Sequence, residues 1–345
     1  MHNRLFIPLL AVTMVLFPGC KEEPDAIIMT VNGPVSPEEL GTTLIHEHLL
    51  VDFIGADSTG YHRWDREEVA SRVIPFLEEA RSRGVKTIVE CTPAYVGRDP
   101  QLLKSLSERT GITLITNTGY YGARQNHFLP EKFYGMKAEE LATLWISEWE
   151  DGIEGIGIRP GFIKIAVDPG ESLTPDHRKI VRAAALTHLE TGLMIASHTG
   201  PDSPAFHQLD ILDSMGVDPS SFIWEHAQNG SLEGNLEAAR RGAWISLDYV
   251  NGSQTGDAGQ KNSIAWYAER ITALKEAGLL NRVLISHDAG WYSPGEDNGG
   301  DFRGFTAIFD QLLPLLRQKG FTQEEVELLI MVNPQKILSI CSTSS

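Results

Sequence analysis

The chain has 345 residues, 42% hydrophobic and 22% charged, a balance that supports a large globular core and excludes disorder as the resting state. Its 46 acidic residues against 29 basic ones give a formal charge of −17 with no Lys or Arg run. A polyanion such as DNA or RNA is therefore excluded, and a small, neutral or weakly charged ligand is favoured.

The first twenty residues read as an export signal: a charged start at Arg4, an apolar run from Leu5 to Phe17, then Pro18-Gly19-Cys20. Cys20, between Gly19 and the polar Lys21-Glu22-Glu23, resembles a bacterial lipoprotein cysteine. The expectation is an exported periplasmic or cell-surface lipoprotein, tied to a membrane only by a lipid on Cys20, with residues 21–345 forming one domain. Cys91 and Cys341 then remain as thiols, too few for a disulfide framework. No later segment offers the roughly 18 to 20 uninterrupted apolar residues of a membrane span.

Ile27 to Val35 reads as a β-hairpin around Asn32-Gly33. Short apolar runs then follow, centred near Leu44, Ile88, Ile115, Ile163, Ile195, Ile223, Ile245 and Ile285, separated by helical patterns such as Glu67 to Arg83 and Asp176 to Thr191. Eight strands, each followed by a helix, imply a parallel sheet covered by helices and closed into a (β/α)8 barrel. An open doubly wound sheet is the competitor, but its phosphate loops G-x-G-x-x-G and G-x-x-x-x-G-K are absent. Trp291 to Arg303, the longest irregular stretch, is expected to be a loop over the barrel mouth.

His46 and His48 stand two residues apart at a strand end, so both project to one face and reach one metal. Lys164 interrupts the apolar strand Gly161 to Ala166. His198, His226 and Asp288 each lie just past a later strand. A single strand-end histidine is more often a packed core residue than a ligand, yet five such positions on five barrel strands converge on one mouth. Lys164 alone reads as a snorkelling or substrate-binding lysine. Beside two cations its ammonium is disfavoured by like charge and burial, so a neutral or modified form is expected. His62, His127, His177, His188, His207 and His287 fall on helices, on loops or out of phase, and are assigned to structure or surface.

The order His-x-His, strand Lys, His, His, Asp resembles the phosphotriesterase family of the amidohydrolase superfamily. Gly41-Thr42-Thr43, Gly97-Arg98-Asp99 and Asn333-Pro334, the last expected to open the final helix, share the resemblance, which runs from about Met29 to Ser339. It implies two divalent metal ions, usually zinc and sometimes manganese, cobalt or iron. His46, His48 and Asp288 would hold the buried ion, and His198 and His226 the more exposed one. Lys164, carboxylated by carbon dioxide to a carbamate, would bridge them. The resemblance further implies that a water between ions roughly 3.5 to 4 Å apart becomes the nucleophile while the exposed ion polarises a carbonyl or phosphoryl oxygen. Asp288 would take its proton. A homodimer is a further expectation, since dimers are common for such barrels.

Substrate selection is expected from the loops past the strands: Tyr95, Tyr120, Tyr121, Asp248-Tyr249 and Trp291-Tyr292. Lactonases of the family are similar at Tyr95, but often carry an Arg directly after the Asp in the loop following strand seven. Tyr249 stands there, which argues against acyl-homoserine lactones. The expected substrate is another lactone or carboxylic ester, for example one derived from a sugar, with organophosphate triesters as the secondary or alternative class. Two rivals stand beside this. A Schiff-base aldolase using Lys164 leaves four histidines and Asp288 unexplained, and a non-catalytic binding lipoprotein has no need of Lys164.

Overall fold

A computed structural model describes residues 26–252 and 257–341; the export signal and Cys20 lie outside them. β1 (Ala26–Thr30) and β2 (Gly33–Val35) form the expected antiparallel hairpin, with Thr30 opposite Gly33. Its two-residue loop is therefore Val31-Asn32, one position earlier than the Asn-Gly turn read from the sequence. Gly33 opens the return strand at φ +112.

The (β/α)8 barrel follows. Its strands are β3 (Thr43–Leu50), β4 (Thr87–Glu90), β5 (Thr113–Ile115) with β6 (Asn117–Thr118), β7 (Phe162–Ala166), β8 (Ile195–His198), β9 (Phe222–Glu225), β10 (Trp244–Leu247), and β11 (Val283–Ile285) with β12 (Gly290–Tyr292). Each apolar run picked out in the sequence lies in one of them. The third and eighth barrel strands are interrupted, and their halves pair with opposite neighbours. β5 joins β4 while β6 joins β7; β11 joins β10 while β12 joins β3. Parallel pairing thus continues around the ring across those two interruptions.

Two glycines permit close approaches at these places. A Cβ on Gly290 (φ +94) would lie 1.8 Å from the His48 carbonyl oxygen, and one on Gly119 (φ +121) would lie 2.0 Å from that of Lys164.

Helices α1 (Arg66–Ser82), α2 (Pro100–Thr110), α3 (Glu131–Gly135), α4 (Ala138–Asp151), α5 (Pro175–Thr191), α6 (Asp202–Ser214), α7 (Leu232–Arg240) and α8 (Ile264–Glu276) follow in order. Asp65 starts α1 by accepting the amides of Glu67 and Glu68, and Thr174, Ser231 and Ser263 cap later helices in the same way. The last helix, Asn333–Leu338, opens on Asn333-Pro334 as expected, and it continues the helical run that begins at Gln323. The widened turn at Leu328–Val332 precedes the proline, and the Asn333 amide ties the helix to the barrel by donating to the carbonyls of Leu280 and Val283 at 3.0 and 2.7 Å.

Alternation along the strands sorts the core. Ile45, Val89, Ile115, Phe162, Ala196, Ile223, Trp244 and Leu284 fill the barrel interior with Ile28 and Leu40 from the hairpin segment, while Leu44, Ile88, Ile163, Ile195 and Ile245 pack outward with the helices. Among the described residues no helix is long and apolar enough to cross a membrane.

Candidate metal centre

β3 brings its two histidines inward through an irregularity. Pairing with β4 runs Leu44 to Ile88 but Glu47 to Glu90, so β3 carries one extra residue between Leu44 and Glu47. This bulge lets the interior Ile45 be followed by an inward His46, and His48 keeps the same side two residues on. On β7 and β8, ordinary alternation carries Phe162 to Lys164 and Ala196 to His198. His226 and Asp288 follow their strands in left-handed backbone, φ +56 and +50. Such conformations cost on the order of 1–3 kcal/mol and recur at functional sites.

The six side chains meet at the C-terminal strand ends. The donor atoms of His46, His48 and Asp288 lie within 4.8 Å of one another. His48 Nε2 is 3.1 Å from Asp288 Oδ1, and His226 Nε2 is 2.7 Å from His198 Nδ1. Lys164 Nζ stands 3.4 Å from His46 Nε2. Three rings are held from behind: Nδ1 of His46 and of His226 each lie 2.8 Å from Asp248, and Nδ1 of His48 lies 2.8 Å from Thr92 Oγ1. Their Nε2 atoms therefore face the cluster, where a metal ion would take them as acceptors of neutral rings and displace any proton they carry. Imidazole nitrogens with one carboxylate oxygen suit a borderline divalent cation, so the donor set fits such an ion.

Residues 26–338 match the model of the phosphotriesterase family. The chain belongs to that family. The chain is similar to the phosphotriesterase homology protein of Escherichia coli K12, 33% identical over 88% of this chain and 99% of that one. It is also similar to an aryldialkylphosphatase of Saccharolobus solfataricus, 29% identical over 88% and 97%. A solved structure described as organophosphate hydrolysis engineered from a weak promiscuous lactonase template superposes with a TM-score of 0.79 at 28% identity, covering 90% of this chain and 99% of that chain. Family and neighbours indicate a hydrolase.

Two residues of this phosphotriesterase-family site are not among the ligands read from the sequence. Asp248, expected there to take part in substrate selection, is instead fully buried beneath the histidines, and it also accepts the His226 amide and a Gln228 hydrogen bond. Burial pushes its carboxyl up, but the adjacent His226 and His46 outweigh that and hold it well below the usual carboxylate range. Glu225 is buried against the Lys164 ammonium, with Cys91 Sγ 3.7 Å away. Both lie in phase with interior residues of their strands, Ile223 to Glu225 and Trp244 to Ser246 to Asp248. That period of two was the available signal. Glu47 is also buried: it accepts from Ser286 Oγ, His287 Nδ1 and the His287 and Ala289 amides, locking β3 to the Asp288 turn.

The electrostatics suit ligation. Burial, reinforced by His226, keeps the His198 ring well below its usual pKa and hence neutral. Burial also lowers His48, whereas at His226 the Asp248 carboxylate overcomes burial and lifts the ring to about 9. At Asp288, burial is outweighed by the His48 hydrogen bond and neighbouring histidines, so the carboxyl falls below its ordinary value.

Tyr121 and Trp291 border the cluster, Tyr121 on His198 at 5.1 Å and Trp291 on His48 at 5.9 Å between ring centroids. Tyr95 and Tyr120 do not join them there. They pack on each other at 5.3 Å and line a separate cavity of about 460 Å³ with Trp64, Arg98, Lys132 and Glu148. Tyr95 has left-handed backbone, φ +65, which redirects its side chain. Arg98 and Asp99 hold this region together: Arg98 forms a bidentate pair with Glu148 at 2.8 Å, and Asp99 caps α2 and binds Arg66. His177 and His188 make structural contacts, to the Gly122 carbonyl at 3.0 Å and to that of Leu193 at 2.8 Å.

Proposed function

We propose that the chain is a binuclear-metal hydrolase that cleaves a lactone or other carboxylic ester, with organophosphate triesters as a second substrate class. The observation that carries the reading is the convergence of His46, His48, Lys164, His198, His226 and Asp288 at one barrel mouth, backed by an Asp248 carboxylate that serves two of the rings. The two relatives and the structural neighbour support ester and phosphoester chemistry for the second class, and the lactonase template supports the first.

When bound, two divalent ions, zinc first among the candidates, would supply an activated water and an electrophile for the scissile oxygen. The side chains divide the remaining work. His46, His48 and Asp288 would hold one ion, and His198 and His226 the other. Asp248 fixes two imidazoles in the coordinating tautomer. Asp288, hydrogen-bonded to His48 and below its ordinary pKa, is an ionised carboxylate placed to accept the proton of the attacking water. Tyr121 and Trp291 wall the site. A carbamate on Lys164 requires its pairing with Glu225 to open first; labelling with ¹³C-bicarbonate reads this directly. Export, lipidation of Cys20 and dimer formation belong to the same proposal, and support an extracytoplasmic small-molecule substrate.

The test is a panel of neutral lactones, carboxylic esters and phosphotriesters, run on zinc-, manganese- and cobalt-reconstituted protein and on chelated protein. Metal-dependent turnover of lactones above that of phosphotriesters is the expected result. Metal-loaded protein that hydrolyses none of them overturns the assignment.

A further inference from the structure

We propose that Arg303 and Arg124 form a cationic rim over the metal centre that binds an oxyanion group, a carboxylate or phosphate, carried by the substrate away from its scissile bond. This rests on the hydrolase reading above and narrows its substrate class.

Arg303 is fixed at both ends. Its backbone exchanges hydrogen bonds with Gly290 at 2.9 and 3.0 Å, two residues past Asp288, and its guanidinium donates to the Asp288 carbonyl. The guanidinium lies over both the Tyr249 ring, at 5.4 Å, and the Trp291 ring, at 5.2 Å. Trp291 in turn contacts His48 and, at 5.5 Å, Phe53; Arg124 stands over Phe53 at 4.7 Å. The aromatic wall of the centre therefore carries a stacked guanidinium at each of two points.

Among the described residues neither arginine forms an ion pair with a carboxylate, and Arg303 is half-buried. A chain of net charge −17 has many acids to spare for such pairs. Stacking immobilises the planar fork and leaves N–H donors beyond the one used on Asp288, a geometry matched to the two oxygens of a carboxylate or phosphate. Partial desolvation strengthens that attraction. Arg303 also borders a cavity of about 460 Å³ with Val250, Ala289 and Thr306. Of the two carboxylates on that cavity, Asp310 is matched by Arg83 and Asp301 is exposed to solvent.

The test uses metal-loaded wild type, Arg303→Gln, Arg303→Lys and Arg124→Gln on γ-lactones of one ring size bearing no charge, a carboxylate or a phosphate. In wild type, kcat/KM for one charged lactone should exceed that for the neutral lactone at least tenfold, and the better of the two identifies the oxyanion. Arg303→Gln should reduce that ratio about tenfold through KM, with partial recovery in Arg303→Lys and a smaller loss in Arg124→Gln. A wild type that prefers the neutral lactone overturns the proposal. So does an unchanged ratio in Arg303→Gln with both rates falling together, which would make Arg303 only a staple for the Asp288 turn. Calorimetry with the corresponding neutral and carboxylated γ-lactams gives a second readout that needs no turnover. At least tenfold tighter binding of the charged lactam, lost in Arg303→Gln, supports the rim even if the hydrolase reading fails; equal binding refutes it.

Discussion

Asp248→Asn isolates the support beneath the histidines proposed to hold metal. The carboxylate accepts from Nδ1 of both His46 and His226 at 2.8 Å, one oxygen to each ring. An amide keeps a single acceptor oxygen and turns an NH2 toward the other ring, so one imidazole must change tautomer or rotate away from the cluster. Removing one such orienting partner lowers metal affinity or activity roughly 10- to 100-fold, about 1.4–2.7 kcal/mol. Asp248→Ala removes both acceptors; because the rings neighbour each other, its loss should exceed that of Asp248→Asn without reaching the sum of two independent losses. Affinity is read by dialysis against chelator-buffered zinc followed by elemental analysis, with circular dichroism confirming the fold. Zinc affinity within about twofold of wild type in Asp248→Asn would refute the claim that this carboxylate orients ligands.

Arg98→Met removes the bidentate partner of the largely buried Glu148 carboxylate and leaves it only the Thr118 hydroxyl, and should destabilise the protein by about 2–4 kcal/mol in denaturant unfolding while leaving metal stoichiometry unchanged. Trp291→Ala removes the ring shared by His48, Phe53 and Arg303, and should raise KM roughly 5- to 30-fold with metal content unaltered. Burial, outweighing hydrogen bonds from Thr92 and Leu49, lifts the Glu90 carboxyl to about 7. The folded state thus holds that proton more tightly than the unfolded chain. Its stabilising contribution is present at low pH and is lost as pH rises from about 4.5 through about 7. In metal-free protein, Glu90→Gln should flatten the dependence of unfolding free energy on pH across that window.

The barrel was legible because each of its strands announces itself as a short apolar run between helical patterns, and the cluster proposed to hold metal was legible because His46, His48, Lys164, His198, His226 and Asp288 sit at those strands' C-terminal ends. What pairing alone reveals is the bulge between Leu44 and Glu47, since nothing in the residues of β3 marks an extra position there. Glu225 and Asp248 were open to strand alternation but masked by the more conspicuous histidine beside one and the loop beginning at the other. The side-chain direction of Tyr95 was not legible for a backbone reason: its residue has a left-handed φ, and the ring packs on Tyr120. What the sequence did not show at Asn333-Pro334 is the widened turn Leu328–Val332 that leads into that last helix without a break.

Elemental analysis of the purified protein alongside Lys164→Ala tests the central claim most directly. Wild type should carry close to two divalent ions per chain, with metal content and ester hydrolysis falling together in the variant. Substoichiometric metal in wild type, or full occupancy and activity without Lys164, would contradict it.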